Sequence, residues 1–159
     1  MRTSTTDSSL GHRLLQLGMF LFLIGLLTGF AIPVLENSRM GLASHLEALM
    51  NGTFLILLGL LWPRLALSRR ALSGLFGLAL FGTFANWAAT LLAAIWGAGE
   101  PMMPMAAAGY QGSSGQETVI AALLISLSLA MVAVSALVLW GLRTGTPQAA
   151  REMASGGSR

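Results

Sequence analysis

Long apolar stretches, separated by short polar ones, dominate the chain. Four windows are almost free of charged residues, and they cover positions 14–34, 46–62, 71–97 and 118–142. A membrane-spanning helix needs about 20 predominantly apolar residues, with a range of about 17–25. Each window comes close to that length or exceeds it, so the pattern predicts an all-α integral membrane protein built as a bundle of four transmembrane helices. The first window carries a GxxxG spacing at Gly25 and Gly29, which favours close helix packing in lipid.

The polar segments give the domain organisation. We predict a flexible N-terminus over 1–12, a transmembrane domain over 13–143 and a flexible tail over 144–159. A cleaved signal peptide has an apolar core of only about 7–15 residues and a small-residue cleavage site. The first window is longer and lacks that site, which favours a retained span. The connection 97–117 is long for a helical hairpin, and we interpret it either as a lid over the outer face or as a tether.

Composition strengthens the membrane prediction. The chain has 159 residues, of which 55% are hydrophobic and 9% are charged, whereas soluble domains carry roughly 25% charged residues. Four spans use most of the chain and leave no room for a soluble domain. The absence of cysteine excludes disulfides, thiolate metal sites and cysteine nucleophiles.

The arginines predict the topology, because the chain has no lysine. Eight of the nine basic residues lie before span 1, between spans 2 and 3, or after span 4, and only Arg39 lies on the other side. Basic residues accumulate on the cytoplasmic side of membrane proteins. Both termini are therefore predicted to be cytoplasmic, with the protein in the inner membrane. The net charge of +3 then reflects topology, and no nucleic-acid partner is expected.

Polar side chains inside the spans are the candidates for function, since such groups are costly in lipid and usually face the interior. Span 2 opens with His45, Glu47 and Asn51, and span 3 carries Asn86 and Thr90. At 1.5 Å per residue, Asn51 lies roughly 9 Å below His45, and Asn86 lies roughly 16 Å below the outer end of span 3. The cluster therefore gathers in the outer half or middle of the bilayer.

Helical geometry orients these side chains. Glu47 and Asn51 are four residues apart and share a face, whereas His45 and Asn51 point about 120° apart. That divergence argues against a compact metal site and favours a broad ligand lying between helices or between subunits. Each residue also has a structural alternative. His45 could reach water at the interface, Glu47 could extend to the headgroups, and Asn51 could bond Asn86 as a purely structural contact.

The motif SRMGLxSHLEALMNG, together with FGTFANWAATLLAAIWG, resembles the hydroxylaminobenzene mutases, and the likeness covers most of residues 10–143. These four-span membrane enzymes rearrange hydroxylaminobenzene to 2-aminophenol by intramolecular hydroxyl transfer. The resemblance implies an isomerase with a small aromatic hydroxylamine as substrate. It also makes Glu47, which belongs to the mutase-like pattern, a candidate for proton transfer.

A more distant similarity is to styrene oxide isomerase, a four-span trimer that binds heme b. This similarity implies His45 as the iron ligand and Asn51 and Asn86 as substrate-orienting groups. Thr90 stands where that relative has a tyrosine, a departure that fits a different substrate. The implied picture is a homo-oligomer, a trimer by resemblance, with heme iron as Lewis acid. Two alternatives are an epoxide isomerase and a non-enzymatic membrane protein, such as an electron-transfer heme carrier or a transporter subunit.

Overall fold

Four long helices and one short helix make up the described part of the chain. The computed structural model describes the backbone of residues 5–143 and the side chains of residues 9–143. The helices are α1 (Thr5–Ala31), α2 (Ser38–Leu61), α3 (Arg69–Trp96), α4 (Pro104–Ala107) and α5 (Ser114–Arg143). Short 3₁₀ turns at Ile32–Val34 and Trp62–Arg64 follow α1 and α2. The predicted all-α class is confirmed for these residues.

Each long helix is long and apolar enough to cross a membrane, as the sequence predicted. The four candidate spans are Ser9–Val34, Ser38–Arg64, Arg69–Trp96 and Ser114–Arg143. This arrangement indicates a multi-pass membrane protein. Residues 5–12, which fall in the predicted flexible N-terminus, form the first turns of α1. The predicted flexible tail over 144–159 lies outside the described residues, and its flexibility stays a prediction.

Local capping explains where the helices begin and end. Asn37 accepts a hydrogen bond from the Met40 backbone N–H at 3.1 Å, so α2 begins eight residues before the apolar window at 46. His45 and Glu47 therefore lie inside α2, about two turns beyond its first residue, and not at its N-terminal end. Gly97 ends α3 in the left-handed conformation (φ 59°), which favours glycine. Ser113 and Gln116 bond each other's backbone N–H groups, a reciprocal cap that starts α5.

The four long helices pack in the order α1, α2, α3, α5. Helix α2 lies between α1 and α3, and α5 packs on α3, whereas α1 and α5 share no packed face among residues 5–143. The larger core cluster lies between these helices and includes Leu21, Leu55 and Leu75. A second cluster around Met40 and Ala94 closes the end at which α2 begins. This packing places α2 and α3 in the middle of the array.

The connection between α3 and α5 is tied to the helices by two polar side chains. Asn37, which is only 2% exposed, donates to the Ala107 carbonyl of α4 at 2.8 Å. The Glu117 carboxylate accepts the Gly99 backbone N–H at 2.9 Å and the Gly112 N–H at 2.9 Å. Both anchors hold the connection against the helix ends, which favours a fixed cover over the alternative of a loose tether.

Candidate active site

His45 points from α2 towards α1. Its Nδ1 lies 2.8 Å from the backbone carbonyl oxygen of Gly25. Because a carbonyl only accepts, this bond requires a proton on Nδ1, and in the neutral imidazole Nε2 then carries the lone pair. Histidines that bind metals commonly have this arrangement, since the second bond fixes both the tautomer and the orientation of the ring.

A glycine makes room for the imidazole. A Cβ at Gly29 would lie 2.9 Å from His45 Nδ1 and 3.1 Å from Cε1, closer than ordinary contact. The ring stands at the edge of an open, mostly apolar groove of about 430 Å³ between α1 and α2. The groove is lined by Leu26, Gly29, Phe30, Ile32, Leu42 and His45.

Glu47 joins the two asparagines on the other side of α2. Its Oε2 accepts the Asn86 amide of α3 at 2.6 Å and the Asn51 amide, one turn further along α2, at 3.3 Å. Hydrogen bonds to a charged acceptor are roughly twice as strong as neutral ones. No donor within residues 9–143 contacts Oε1. The half-buried carboxylate is therefore oriented by two amides and keeps one free oxygen.

Neither structural alternative for this trio describes the observed contacts. Asn51 and Asn86 meet through Glu47 and not directly, and the Glu47 carboxylate turns towards α3, where it accepts from Asn86. Each amide uses one N–H on Glu47, so the amide oxygen and the second N–H remain for another partner.

Thr90 is adjacent to this group but is not bonded to it through its side chain. Its hydroxyl donates to the backbone carbonyls of Asn86 and Trp87, at 2.9 and 3.0 Å, and the residue is 3% exposed. This is a common way for threonine to satisfy its hydroxyl inside a helix. A catalytic role for Thr90 stays a prediction.

The site consists of two halves on different faces of α2. His45 faces α1, whereas Glu47 and Asn51 face α3, in agreement with the predicted divergence of about 120° between His45 and Asn51. Residues 9–143 contain no group of three His, Cys, Asp or Glu side chains that could hold a metal ion together. Any ligand that contacts both halves must be broad or must lie between copies of the chain.

The sequence interpretation did not identify the partners of His45, although a signal for them exists. Glycines recur every seven residues at 11, 18 and 25 in α1, and at 52 and 59 in α2 with His45 in the same register. A Cβ at Gly52 would lie 2.8 Å from the Gly18 carbonyl oxygen, so the two backbones are in direct contact. This close approach allows an α1 carbonyl to reach the His45 ring.

Comparisons of the sequence with a family model and with known proteins both point to isomerases. The family model described as styrene oxide isomerase matches residues 10–143. The chain is 58% identical over 144 residues to hydroxylaminobenzene mutase HabB of Ectopseudomonas oleovorans, covering 91% of this chain and 88% of that protein. It is 45% identical over 125 residues to hydroxylaminobenzene mutase HabA of the same organism, covering 79% of this chain and 93% of that one. No solved structure matches the chain significantly.

Proposed function

Because this chain belongs to the styrene oxide isomerase family and is 58% identical to a hydroxylaminobenzene mutase, we propose that it rearranges hydroxylaminobenzene to 2-aminophenol. That it is an isomerase follows directly from these relatives, as the sequence resemblance predicted. This sets aside the electron-transfer and transporter alternatives. The observation that carries the proposed substrate is the identity to both mutases over most of the chain.

The proposed reaction needs a base that moves one proton within the site, and it needs no external source of protons. The N–O bond breaks, a C–O bond forms at the ortho carbon, and one hydrogen moves from that carbon to nitrogen, so no proton is gained or lost overall. A single carboxylate can accept the ring proton and return it to nitrogen. Glu47 suits this role because its Oε2 is held by Asn86 and Asn51 while its Oε1 is free.

The asparagines have two roles in this mechanism. They orient the carboxylate, their amide oxygens can accept from the hydroxylamine N–H and O–H, and their remaining N–H groups can donate to its oxygen. Holding the reacting groups in position is a large part of catalysis for an intramolecular step. The apolar surroundings suit an aromatic substrate that partitions into lipid, and they limit capture by bulk water. Thr90 remains a candidate lining residue, with its hydroxyl committed to its own helix.

The residues around His45 fit the heme that the family resemblance implies. The bond from Nδ1 to the Gly25 carbonyl leaves Nε2 available to an iron, and the missing Cβ at Gly29 leaves space for the ring beside an apolar groove. His45 would hold the iron. When bound, heme b would supply a Lewis acid that stabilises negative charge on oxygen.

We propose further that the protein is a homo-oligomer, a trimer by family resemblance, in the inner membrane with both termini cytoplasmic. The arginine distribution supports the topology. His45 and Glu47 lie on different faces of α2, and this supports assembly. A ligand lying between two copies could contact His45 of one copy and the Glu47 carboxylate of the other.

The test is the product formed by the detergent-purified protein. Hydroxylaminobenzene should give only 2-aminophenol, and release of free 4-aminophenol would argue against rearrangement within a closed site. The visible spectrum of the same sample tests the cofactor, since a Soret band should be present in the wild type and absent in His45→Ala. A colourless but active protein would remove heme from the mechanism.

An epoxide isomerase is the second candidate, favoured by the description of the matching family model. Styrene oxide should be assayed beside hydroxylaminobenzene at equal concentration. A larger kcat/KM for the epoxide would reverse the order of the two proposals.

A further inference from the structure

Three polar residues outside the proposed catalytic group connect α1, α2 and α3 through their hydrogen bonds. The Trp87 indole N–H of α3 donates to the Thr28 hydroxyl oxygen of α1 at 3.1 Å. The Ser44 hydroxyl of α2 donates to the Trp87 backbone carbonyl at 3.2 Å. Thr28 is 6% exposed and Ser44 is fully buried. We call Thr28, Ser44 and Trp87 the three-helix lock.

Each member of the lock is next in sequence to a residue of the candidate site. Ser44 precedes His45, Trp87 follows Asn86, and Thr28 precedes Gly29, whose missing Cβ makes room for the imidazole. The lock therefore lies between the half of the site that faces α1 and the half that faces α3. His45 and Glu47 share α2, so a shift at the lock would move the α1 groups that orient the His45 ring, the Gly25 carbonyl and Gly29, relative to Asn86 on α3.

Thr28 is the member on which the connection between α1 and α3 depends most. Its hydroxyl donates to the Ile24 carbonyl of its own helix at 2.8 Å, which turns the oxygen lone pairs outwards. The indole N–H is a donor only and needs such an acceptor. Without the Thr28 oxygen, a half-buried N–H in an apolar environment would have to find another partner, and the helices would shift to supply one.

We propose that Thr28 is a positioning residue that, through Trp87, holds the α1 groups that orient His45 in register with Asn86 of α3, which orients Glu47. The proposal rests on the proposed function, because register matters only if both halves act on one substrate. In that reaction the hydroxyl group leaves nitrogen and must be recaptured at the ortho carbon. Loss of register would let water compete for the reactive ring, and the product would then include 4-aminophenol.

The structure provides a matched control for the test. Thr83 of α3 is fully buried, and its hydroxyl donates to the Ala79 and Leu80 carbonyls of its own helix at 2.7 and 3.2 Å, with no bond to another helix. Thr28→Val and Thr83→Val remove the same atoms and the same type of bond within a helix. They differ in that only Thr28 accepts from an indole.

The experiment compares the full-length variants in detergent, per amount of folded protein. Thr28→Val should lower kcat about tenfold and add 4-aminophenol to the product, because small misplacements cost large factors in rate. Thr28→Ser keeps the acceptor and should restore the wild-type rate and product. Thr83→Val should match the wild type in both. Equal product ratios for Thr28→Val and Thr83→Val would overturn the proposal, whatever their stability.

A double-mutant cycle with Trp87→Phe tests the contact without relying on turnover. In the Trp87→Phe background, Thr28→Val should change the melting temperature much less than it does in the wild type, because the two residues act as a pair. Additive shifts would show that the bond is not formed and would overturn the lock. A wild type that makes no 2-aminophenol would instead refute the proposed function, and the stability cycle would still report on the lock.

Discussion

Gly29→Ala is the substitution that most directly tests whether the orientation of His45 matters. The new Cβ would lie 2.9 Å from Nδ1, and ordinary contact begins near 3.4 Å, so the ring must retreat by about 0.5 Å. The retreat is away from α1, which also carries the Gly25 carbonyl. The present bond of 2.8 Å to that carbonyl would lengthen beyond the usual range for such bonds, which ends at about 3.2 Å.

The free energies involved nearly cancel in stability. Alanine is favoured over glycine inside a helix by up to about 1 kcal/mol. Losing one neutral hydrogen bond costs about 0.5–1.5 kcal/mol. We therefore expect Gly29→Ala to change the free energy of unfolding by less than about 1 kcal/mol. Activity should respond more strongly, because a displacement of this kind in a catalytic group costs about tenfold to a hundredfold in rate.

The assay pairs this variant with Gly77→Ala, a helical glycine in α3 whose added Cβ would meet nothing within 4 Å. Melting temperature and kcat are measured for both in the same detergent. Gly77→Ala should keep wild-type kcat and gain up to about 1 kcal/mol of stability from helix propensity. The reasoning is refuted if Gly29→Ala keeps kcat within about twofold of Gly77→Ala, a difference much smaller than a misplaced catalytic group produces. His45 would then tolerate displacement, which the proposed iron ligand would not.

Two further predictions follow from contacts of α2. Glu47→Gln keeps the shape and one acceptor oxygen but removes the base, so it should fold normally and lose about 10²–10⁴ in kcat. Wild-type kcat in that variant would exclude Glu47 as the proton shuttle. Gly52→Ala places a Cβ 2.8 Å from the Gly18 carbonyl oxygen and 2.8 Å from the Phe22 backbone nitrogen. It should lower stability by about 1–3 kcal/mol through overpacking, while Gly74→Ala, which meets nothing within 4 Å, should not; equal melting temperatures for the two would contradict the close α1–α2 packing.

The sequence predicted the spans well because hydropathy and helix length are properties of each segment alone. The start of α2 was harder to predict from the sequence, since the residues before 46 are mixed in polarity and its first turn depends on the Asn37 cap. A hydropathy profile does not detect that cap, although an asparagine before a helix is a recognisable start signal. The consequence for the site is direct: His45 lies within a rigid helix, which makes its direction well defined.

The pairing of side chains was only partly predictable. The i, i+4 relation of Glu47 and Asn51 follows from helix geometry, and the structure adds the Asn86 amide to the same oxygen. The partner of His45 could not be predicted in the same way, because it is a backbone carbonyl and depends on how closely α1 approaches α2. The glycines that permit this approach are visible in the sequence, but their pairing across two helices is a tertiary property.

The hydrogen-bonding atoms that these contacts leave unused lie where we propose that a ligand binds. The Glu47 and His45 side chains are both half-buried, and each is oriented by one set of partners while retaining a free atom, Oε1 or Nε2. Around α2, these two residues border a strip of exposed leucine and methionine side chains: Leu42, Leu46 and Met50 are 49%, 46% and 59% exposed. Leaving a carboxylate oxygen and an imidazole nitrogen against lipid is costly. The cost is removed if this face of α2 is covered by a ligand or a second copy, and this is why the proposed oligomer and the proposed site support each other.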